Sequence, residues 1–312
     1  MADDPPQPEE LDDDPTRDGL KYYIFDWDDN VLHMPTEIIL ERRGEDGSWG
    51  PCSVSTSTFA QVRTDSENYR PPNGDWEAAF RNFRDLQEHG ESAFLVDTRR
   101  ALAPVLAGTE SPAPSFHVFK ASLIQGRLFA IVTARGHRPD SIRLGVLHFI
   151  MEALTEEERA EMVRNLRAYF FVFDKPEEDA RTDEEVIEYY LDLNHYHGVT
   201  SPEFQRTVLG RDGVGAENPE EAKQLAIRAF VEHVLALSEE GRIDRSISFG
   251  FSDDDLGNVA AAREYIEGVL AKEYPYVRFV VYDTSDPAVP SGIKTILQGQ
   301  LELDLIDPPA SK

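Results

Sequence analysis

The sequence IFDWDDNVLH, residues 24–33, places three carboxylates within four residues directly after an apolar run. That run, KYYIF at residues 21–25, is typical of a buried β-strand. Like charges this close repel one another, so Asp26, Asp28 and Asp29 would weaken a strand end that had no other purpose. The stretch therefore indicates a strand that delivers acidic groups to a functional site.

Four more apolar runs have the character of buried strands, and amphipathic stretches of helical period separate them. Strands that alternate with helices predict an α/β fold in which helices cover both faces of a parallel sheet. The pattern predicts a Rossmann-like parallel sheet of about five core strands. The further strands are predicted at 128–132, 169–173, 246–251 and 277–282, and the helices at 139–154, 219–238 and 256–273.

Polar side chains follow three of these strands at the point where each strand ends. Asp26 and Asp28 follow the first strand, Thr133 and Arg135 follow the second, and SDDDLGN, residues 252–258, follows the fourth. The carboxyl ends of parallel strands meet at one edge of a sheet, which is where ligands bind in open α/β folds. Side chains far apart in the sequence are therefore expected to form one site.

The connection between the first two strands is too long for a simple crossover. Residues 34–125 are interpreted as an insertion made of a β-flap and a helical cap. Strand-like alternation is found at 36–42 and again at 53–62. Helical patterns then cover 76–87, 92–106 and 115–125.

The remaining chain divides into a core and a tail. The α/β core is assigned to 20–33 and 126–312, with a second, smaller excursion of loops and one helix at 175–221. Residues 1–19 hold eight acidic residues, one arginine and four prolines, which predicts a disordered acidic tail.

Charge and cysteine content exclude some classes of function. The chain has 312 residues, with 31 basic and 59 acidic side chains and a net charge of −28, so it is not expected to bind nucleic acid or an anionic membrane. It has no long apolar stretch that would predict a membrane span or an export signal. Cys52 is the single cysteine, which fits a cytoplasmic location. None of these features indicates an oligomeric state.

Four short motifs occur in order along the chain, each at a predicted strand end or helix start. They are YYIFDWDDN at 22–30, FAIVTARG at 129–136, NPEEAKQLAIRAF at 218–230 and SFGFSDDDLGNVAAA at 248–262. In these motifs the chain resembles the haloacid dehalogenase-like (HAD) superfamily, most of whose members are magnesium-dependent phosphohydrolases. A single Asp-x-Asp arises often by chance, whereas four motifs in order form a specific signal.

The resemblance implies a role for each of four side chains. Asp26 would be the nucleophile that forms an aspartyl-phosphate, and Asp28 would protonate the leaving oxygen and then activate water. Thr133 would bind a phosphate oxygen, and Lys223 would balance negative charge on the nucleophile and the phosphoryl group. Apart from these four, Arg135, two residues after Thr133, is a candidate substrate-binding residue, with capping of the helix predicted from Pro139 as the alternative.

The resemblance also implies a Mg²⁺ site, because this ion takes oxygen ligands. Its ligands would be Asp26, the backbone carbonyl of Asp28, and Asp254, with Asp253 as a further candidate. The family's fourth motif has the form Asp-x-x-x-Asp. Asp254 is preferred as its first acid because Asn258 then occupies the second place, whereas Asp253 would put Gly257 there. Asp255 is interpreted as an acid at a helix N-terminus.

Several positions leave alternatives open. Lys175, which follows the predicted strand at 169–173, competes with Lys223 for the place of the motif lysine. Asn30 stands where the family has Thr or Val, and it is expected to bond to the local backbone. Asp29 is expected to face solvent, and His195 and His197 are interpreted as part of a solvated loop.

The function predicted from these residues is that of a phosphatase that hydrolyses a phosphomonoester. A small phosphorylated metabolite is favoured over a phosphoprotein because the insertion is large enough to cover the site. A dehalogenase of the same superfamily usually lacks the second aspartate, so Asp28 argues against that branch. The alternatives are another hydrolase branch of the superfamily and a non-catalytic protein of this fold that acts as a binding partner or scaffold.

Overall fold

The computed structural model describes residues 20–85, 92–172, 181–207, 219–240, 246–286, 288–289 and 291–299. The predicted acidic tail at 1–19 and the alternative motif lysine, Lys175, lie outside the described residues.

The described chain alternates strands with helices, as the sequence pattern predicted. The strands are β1 (Leu20–Phe25), β2 (Ile38–Arg43), β3 (Trp49–Val54), β4 (Tyr69–Arg70), β5 (Phe129–Thr133), β6 (His195–Gly198), β7 (Ile247–Asp253), β8 (Arg278–Asp283) and β9 (Ile293–Gln298). The helices are α1 (Thr56–Val62), α2 (Trp76–Ala79), α3 (Ala93–Leu106), α4 (Phe116–Ile124), α5 (Pro139–Ala153), α6 (Glu156–Val172), α7 (Asp183–Asp192), α8 (Pro202–Thr207), α9 (Pro219–Glu240), α10 (Leu256–Tyr265) and α11 (Ala271–Glu273), with a π-turn at Ile266–Leu270 between the last two.

The main sheet has six strands in the order β6-β5-β1-β7-β8-β9. The first five are parallel, and β9 pairs antiparallel with β8 at one edge. The predicted α/β class with a mostly parallel sheet is therefore confirmed. Every residue of β5 is buried, as expected for a strand covered on both faces.

One predicted strand is wrong, because residues 169–172 belong to the end of helix α6. Three glutamates open this helix, where the helix dipole favours negative charge. Met162, Val163 and Leu166 are buried and spaced to form one helix face, so the helical period runs directly into the apolar run. The strand that pairs with β5 is instead β6, which lies within the excursion predicted at 175–221. That excursion also contains α7 and α8, so it holds more than loops and one helix.

The insertion divides into two parts that pack differently. Strands β2, β3 and β4 form a separate antiparallel sheet with a small hydrophobic cluster of its own. Helices α3 and α4 bury their apolar residues, including Phe94 and Phe119, in the main core. The strand predicted at 53–62 ends at Val54, because Ser55 caps helix α1 by accepting a hydrogen bond from the Thr58 amide. The helix predicted at 76–87 is limited to α2 and a 3₁₀ turn at Arg81–Phe83.

No helix within the described ranges combines the length and the apolar character that crossing a bilayer would require.

Candidate functional site

Asp26 and Asp253 meet at one lysine, at the carboxyl ends of β1 and β7. The Nζ of Lys223, near the start of α9, lies 2.8 Å from Asp26 Oδ1 and 2.7 Å from Asp253 Oδ2. The exposed fractions of these side chains are 4% for Lys223, 7% for Asp26 and 1% for Asp253. The Asp26 amide donates to the carbonyl of Ser252 at 2.9 Å, which fixes the register of the two strand ends. The structure thus brings together three residues that the sequence predicted for one site.

The charges in this cluster do not balance. Burial raises the pKa of Asp26 well above its ordinary value; Lys223 opposes that shift, and the carboxylates of Asp253, Asp254 and Asp28 add to it. Burial disfavours the charged form of Lys223, but the carboxylates of Asp253 and Asp26 outweigh burial and raise the pKa of the lysine. The lysine is therefore charged, and one ammonium stands against several carboxylates.

A divalent cation would correct this imbalance. Asp26, Asp253 and Asp254 each offer a carboxylate oxygen, and these oxygens lie within 4.8 Å of one another. When they are ionised, the three carboxylates and the Lys223 ammonium leave two negative charges, which one divalent cation balances. Donor sets made only of oxygen suit hard cations such as Mg²⁺. The residues therefore fit the ion that the resemblance implies, and both candidate aspartates of the fourth motif belong to the group.

Asp254, Asp255 and Asn258, which follow Asp253 in the chain, have separate roles. Burial, the Asp253 carboxylate and then the Asp29 carboxylate raise the pKa of Asp254 to about 7. Asp255 is the N-cap of α10 and accepts from the amide of Gly257 at 2.7 Å, which confirms its predicted place at a helix N-terminus. Asn258 donates to Asp253 Oδ1 at 3.1 Å and thereby orients that carboxylate.

Asp28 forms its side-chain contacts with Arg135 and Thr133. Arg135 Nε lies 2.8 Å from Asp28 Oδ2, and Arg135 Nη2 lies 2.5 Å from Asp28 Oδ1. Thr133 donates from its hydroxyl to Asp28 Oδ2 at 3.1 Å. Burial favours the neutral acid, but the Arg135 charge and these hydrogen bonds outweigh burial and lower the pKa of Asp28. The two carboxylates of the first motif therefore differ in proton affinity, with Asp26 the higher and Asp28 the lower.

Asn30 joins four parts of the chain beneath the site. It is fully buried, and its Nδ2 donates to the carbonyls of Asp26 at 2.9 Å and Ser252 at 3.1 Å. Its Oδ1 accepts from the hydroxyls of Ser115 at 2.7 Å and Thr284 at 2.8 Å. The expected bond to the local backbone is present, but the other partners lie far away in sequence. A Thr or Val at this position could not make this set of bonds.

Asp29 does not face solvent freely, in contrast to the prediction. Its backbone adopts a left-handed conformation with φ of 54°, which is uncommon for a residue with a side chain. Its carboxylate accepts from Thr56 Oγ1 at 2.7 Å and contacts His33 Nδ1 at 3.0 Å. The hydrogen bond to Asp29 is the main cause that raises the pKa of His33. Because Thr56 begins α1, Asp29 ties the rim of the site to the insertion.

His195 and His197 lie in strand β6, so the prediction of a solvated loop is wrong. His195 Nδ1 lies 3.3 Å from His197 Nε2. The ring of His233, on α9, stacks on His195 with 4.4 Å between the ring centroids. Burial lowers the pKa of His195 to about 4 and that of His197 to about 3, and the charge of a neighbouring histidine adds to each shift.

These histidines are expected to make the protein sensitive to acid. The ordinary pKa of histidine is about 6.5, so below that pH the unfolded chain binds protons that the folded chain refuses. The free energy of unfolding should therefore fall as the pH drops from about 6.5 towards 4, by roughly 2 kcal/mol for each of the two histidines at pH 5. Urea unfolding at pH 7.5 and pH 5 should show a smaller loss for His197→Gln than for the parent. The exposed His117, changed to Gln, should keep the parental loss, and an equal loss in all three proteins would contradict the prediction.

Several residues that complete the site carry no signal in the sequence. Ser115 and Thr284 support Asn30, and Thr36 and Asp97 lie beyond Arg135 in a further set of hydrogen bonds. None of the four belongs to a recognisable motif. Thr284 directly follows the end of β8, whereas the other three do not follow a strand of the main sheet. That position next to the end of a strand is the one feature that could have marked it.

Comparisons of the chain with known protein families, with characterised proteins and with solved structures found no match.

Proposed function

We propose that this protein is a Mg²⁺-dependent phosphatase of the HAD-like type, which hydrolyses a phosphomonoester through an aspartyl-phosphate on Asp26. The observation that carries the proposal is the contact of Lys223 with both Asp26 and Asp253, with Asp254 beside them. With Asp26 as the nucleophile, the Lys223 ammonium and the carboxylates that could hold a cation would lie beside it, next to the ends of two adjacent parallel strands. Phosphoryl transfer needs this combination of positioning and charge balance.

In the first step, a carboxylate oxygen of Asp26 attacks phosphorus while the bond to the leaving oxygen breaks. The ammonium of Lys223 holds the Asp26 carboxylate through Oδ1, and its charge favours the approach of a phosphate dianion. In the second step, water attacks the phosphorus of the aspartyl-phosphate and gives up a proton to the Asp28 carboxylate while the bond from phosphorus to the Asp26 oxygen breaks, which releases phosphate and restores Asp26. Bound Mg²⁺, held by Asp26, Asp254 and Asp253 with the Asp28 carbonyl as the remaining candidate, would supply positive charge to the transferring oxygens.

Asp28 would supply the proton for the leaving group, as the resemblance implies. Both of its oxygens are engaged by Arg135 or Thr133, so the carboxylate is ionised and anchored before substrate arrives. A proton transfer through Asp28 therefore requires that its ion pair with Arg135 loosen when phosphate binds, so that the carboxylate takes up a proton from solvent and then passes it to the leaving oxygen. Thr133 would then donate to a phosphate oxygen, and the role of Arg135 as a substrate contact stays a prediction.

The insertion is proposed to act as the cap that selects the substrate. Two hydrogen bonds connect it to residues beside the site. Thr56 of the insertion donates to Asp29, and the Gly136 amide donates to the carbonyl of Phe83 in the insertion at 2.9 Å. Since caps exclude water and supply contacts remote from the reacting phosphate, a small phosphorylated metabolite is the proposed substrate class. A cytoplasmic location, expected from the single cysteine, stays a prediction.

The direct test is hydrolysis of p-nitrophenyl phosphate with Mg²⁺ and with EDTA. Turnover that requires Mg²⁺ would support the proposal, and its absence under all conditions would overturn it. Binding of Mg²⁺ without turnover would favour the non-catalytic alternative.

The Mg²⁺ requirement is expected to depend on pH. Protons compete with the cation for Asp254, whose pKa is raised to about 7, so the side chain is available as a ligand mainly above that pH. The Mg²⁺ concentration for half-maximal activity should rise by up to about tenfold per pH unit below pH 7. Titrations of activity with Mg²⁺ between pH 8 and pH 6 measure this. A half-maximal concentration that stays constant over this range would contradict the assignment of Asp254.

A further inference from the structure

Arg135 is buried and is connected to two carboxylates, one directly and one through a hydroxyl. Its exposed fraction is 1%, and Phe83 and Phe94 lie 4.7 Å and 5.7 Å from its guanidinium carbon. One carboxylate is Asp28, which Arg135 contacts directly. The second is Asp97 on α3, which it reaches through one hydroxyl.

That hydroxyl belongs to Thr36, which is itself 4% exposed. Arg135 Nη2 donates to Thr36 Oγ1 at 2.7 Å, and Thr36 Oγ1 donates in turn to Asp97 Oδ2. A hydroxyl has one proton to donate, and because arginine has no acceptor, the proton of Thr36 must go to Asp97. The direction of the chain is therefore fixed from Arg135 through Thr36 to Asp97.

The energetic consequence follows from the cost of a buried charge. A buried cation that loses its counter-ion destabilises a protein strongly. If Asp28 were the sole anion for Arg135, loosening the Asp28–Arg135 ion pair would leave the guanidinium without a counter-ion next to two phenylalanine rings. A second anion, held on a helix that packs in the main core, removes much of that cost.

We propose that Asp97, acting through Thr36, is a second counter-ion of Arg135, and that Thr36 and Asp97 are thereby positioning residues for the Asp28 carboxylate. The catalytic part of this inference rests on the proposed function. Neither residue touches the proposed reacting atoms. They hold Arg135 in place, so that Asp28 returns to one orientation. When Asp28 moves away, Arg135 still has a counter-ion in Asp97.

The charge relation can be tested without any activity. Asp28→Asn, Asp97→Asn and the double variant should be compared by urea unfolding. Each single variant leaves Arg135 one carboxylate, whereas the double variant leaves none, so the fall in denaturation midpoint of the double variant should exceed the two single losses added together. Adding Arg135→Met to the double variant should raise the midpoint again, because it removes the unpaired cation. The same rescue is expected if the double variant fails to fold.

Thr36→Val and Thr98→Val form a matched pair for the role of the hydroxyl. Both threonines are buried, but the hydroxyl of Thr98, the residue next to Asp97, has no hydrogen-bond partner among the described residues. In the Asp28→Asn background, Thr36→Val should behave like Asp97→Asn, whereas Thr98→Val should add only its own small effect. Additive losses throughout, or no rescue by Arg135→Met, would overturn the proposal.

The positioning role can be tested with two aryl phosphates of similar shape. Phenyl phosphate has a poor leaving group that needs a proton, whereas p-nitrophenyl phosphate has a good one, so misplacing Asp28 should affect them unequally. Thr36→Val and Asp97→Asn should each lower kcat for phenyl phosphate by about tenfold or more, with a several-fold smaller loss for p-nitrophenyl phosphate and little change in KM. Thr98→Val should change kcat for phenyl phosphate and for p-nitrophenyl phosphate by the same factor.

The outcomes separate the two claims. Equal losses for both substrates in Thr36→Val and Asp97→Asn would overturn the positioning role while leaving the phosphatase proposal intact. Absence of turnover in the parent would overturn the proposed function and the catalytic part of the inference, and the unfolding comparison would still decide whether Asp97 is a counter-ion of Arg135.

Discussion

Replacing Asp26 by Asn is expected to lower the turnover of p-nitrophenyl phosphate by at least about 10³-fold. The substitution keeps the shape of the side chain but removes the nucleophilic charge, so no aspartyl-phosphate can form by the proposed route. Lys223 would keep its contact with Asp253 at 2.7 Å, and the remainder of the site would stay in place. Steady-state kinetics with saturating Mg²⁺ measure the effect.

The loss should not come from unfolding. The fold raises the pKa of Asp26, so the ionised side chain weakens the folded state at neutral pH. This loss of stability grows as the pH rises above about 4, the ordinary pKa of an aspartate. In EDTA at pH 7, Asp26→Asn should therefore be at least as stable to urea as the parent. A loss of activity that is accompanied by a loss of stability would not identify the nucleophile, so the unfolding curve should be measured together with the kinetics.

Asp29→Asn is the matched control, because it makes the same change three residues later in the same loop. Asp29 contacts Thr56 and His33 but not Lys223, so its substitution should reduce turnover by no more than a few-fold. Turnover that survives in Asp26→Asn, or an equal loss in the two variants, would contradict the assignment of the nucleophile.

Replacing Asn30 by Ala is expected to lower the free energy of unfolding by about 3–5 kcal/mol. The change would leave the Ser115 and Thr284 hydroxyls and the Ser252 carbonyl without their present partner in a fully buried place. A buried polar group left without a hydrogen bond costs more than the bond itself contributes, which makes this position unusually sensitive. Urea unfolding monitored by circular dichroism measures the change.

Two comparisons make this result specific. Asn82 is partly exposed, and its side chain donates a hydrogen bond to the carbonyl of Glu37; Asn82→Ala should lower the free energy of unfolding by less than about 0.5 kcal/mol. Asn30→Thr should fall between the two, because one hydroxyl can replace only part of the four-way connection. If Asn30→Ala and Asn82→Ala are equally stable, Asn30 does not hold these segments together.

The sequence was sufficient to predict the centre of the fold because the central strands are continuous apolar runs. Strands β1, β5, β7 and β8 fall where those runs are, and parallel pairing then requires Asp26 and Asp253 to meet at one edge. Lys223 could be placed there too, since it opens the helix that leads into β7.

The periphery could not be predicted in the same way, because short elements depend on tertiary contacts. Strand β6 has only four residues, two of them histidines, and its partner β5 determines that it is a strand. The run at 169–173 has strong strand propensity, yet the helix before it continues through Val172.

Long-range polar contacts were equally hidden from a reading of motifs. Nothing in the spacing of Thr36, Asp97 and Arg135 indicates that they share a chain of hydrogen bonds, because the insertion has to fold before they meet. The bonds that Asn30 makes to Ser115 and Thr284 are of the same kind.

The central place of β1 has a consequence for the order of folding. Of the described strands it comes first in the chain, yet its two neighbours in the sheet, β5 and β7, come much later. Asp26 is separated from Lys223 by 197 positions, so their contact closes one of the longest loops in the protein. Until β7 docks, the acidic end of β1 lacks one of its two neighbouring strands and the Asp253 carboxylate, and the sheet is open at its centre. Docking of β7 would thus be a single event that both joins the two halves of the sheet and brings Asp253 to Asp26.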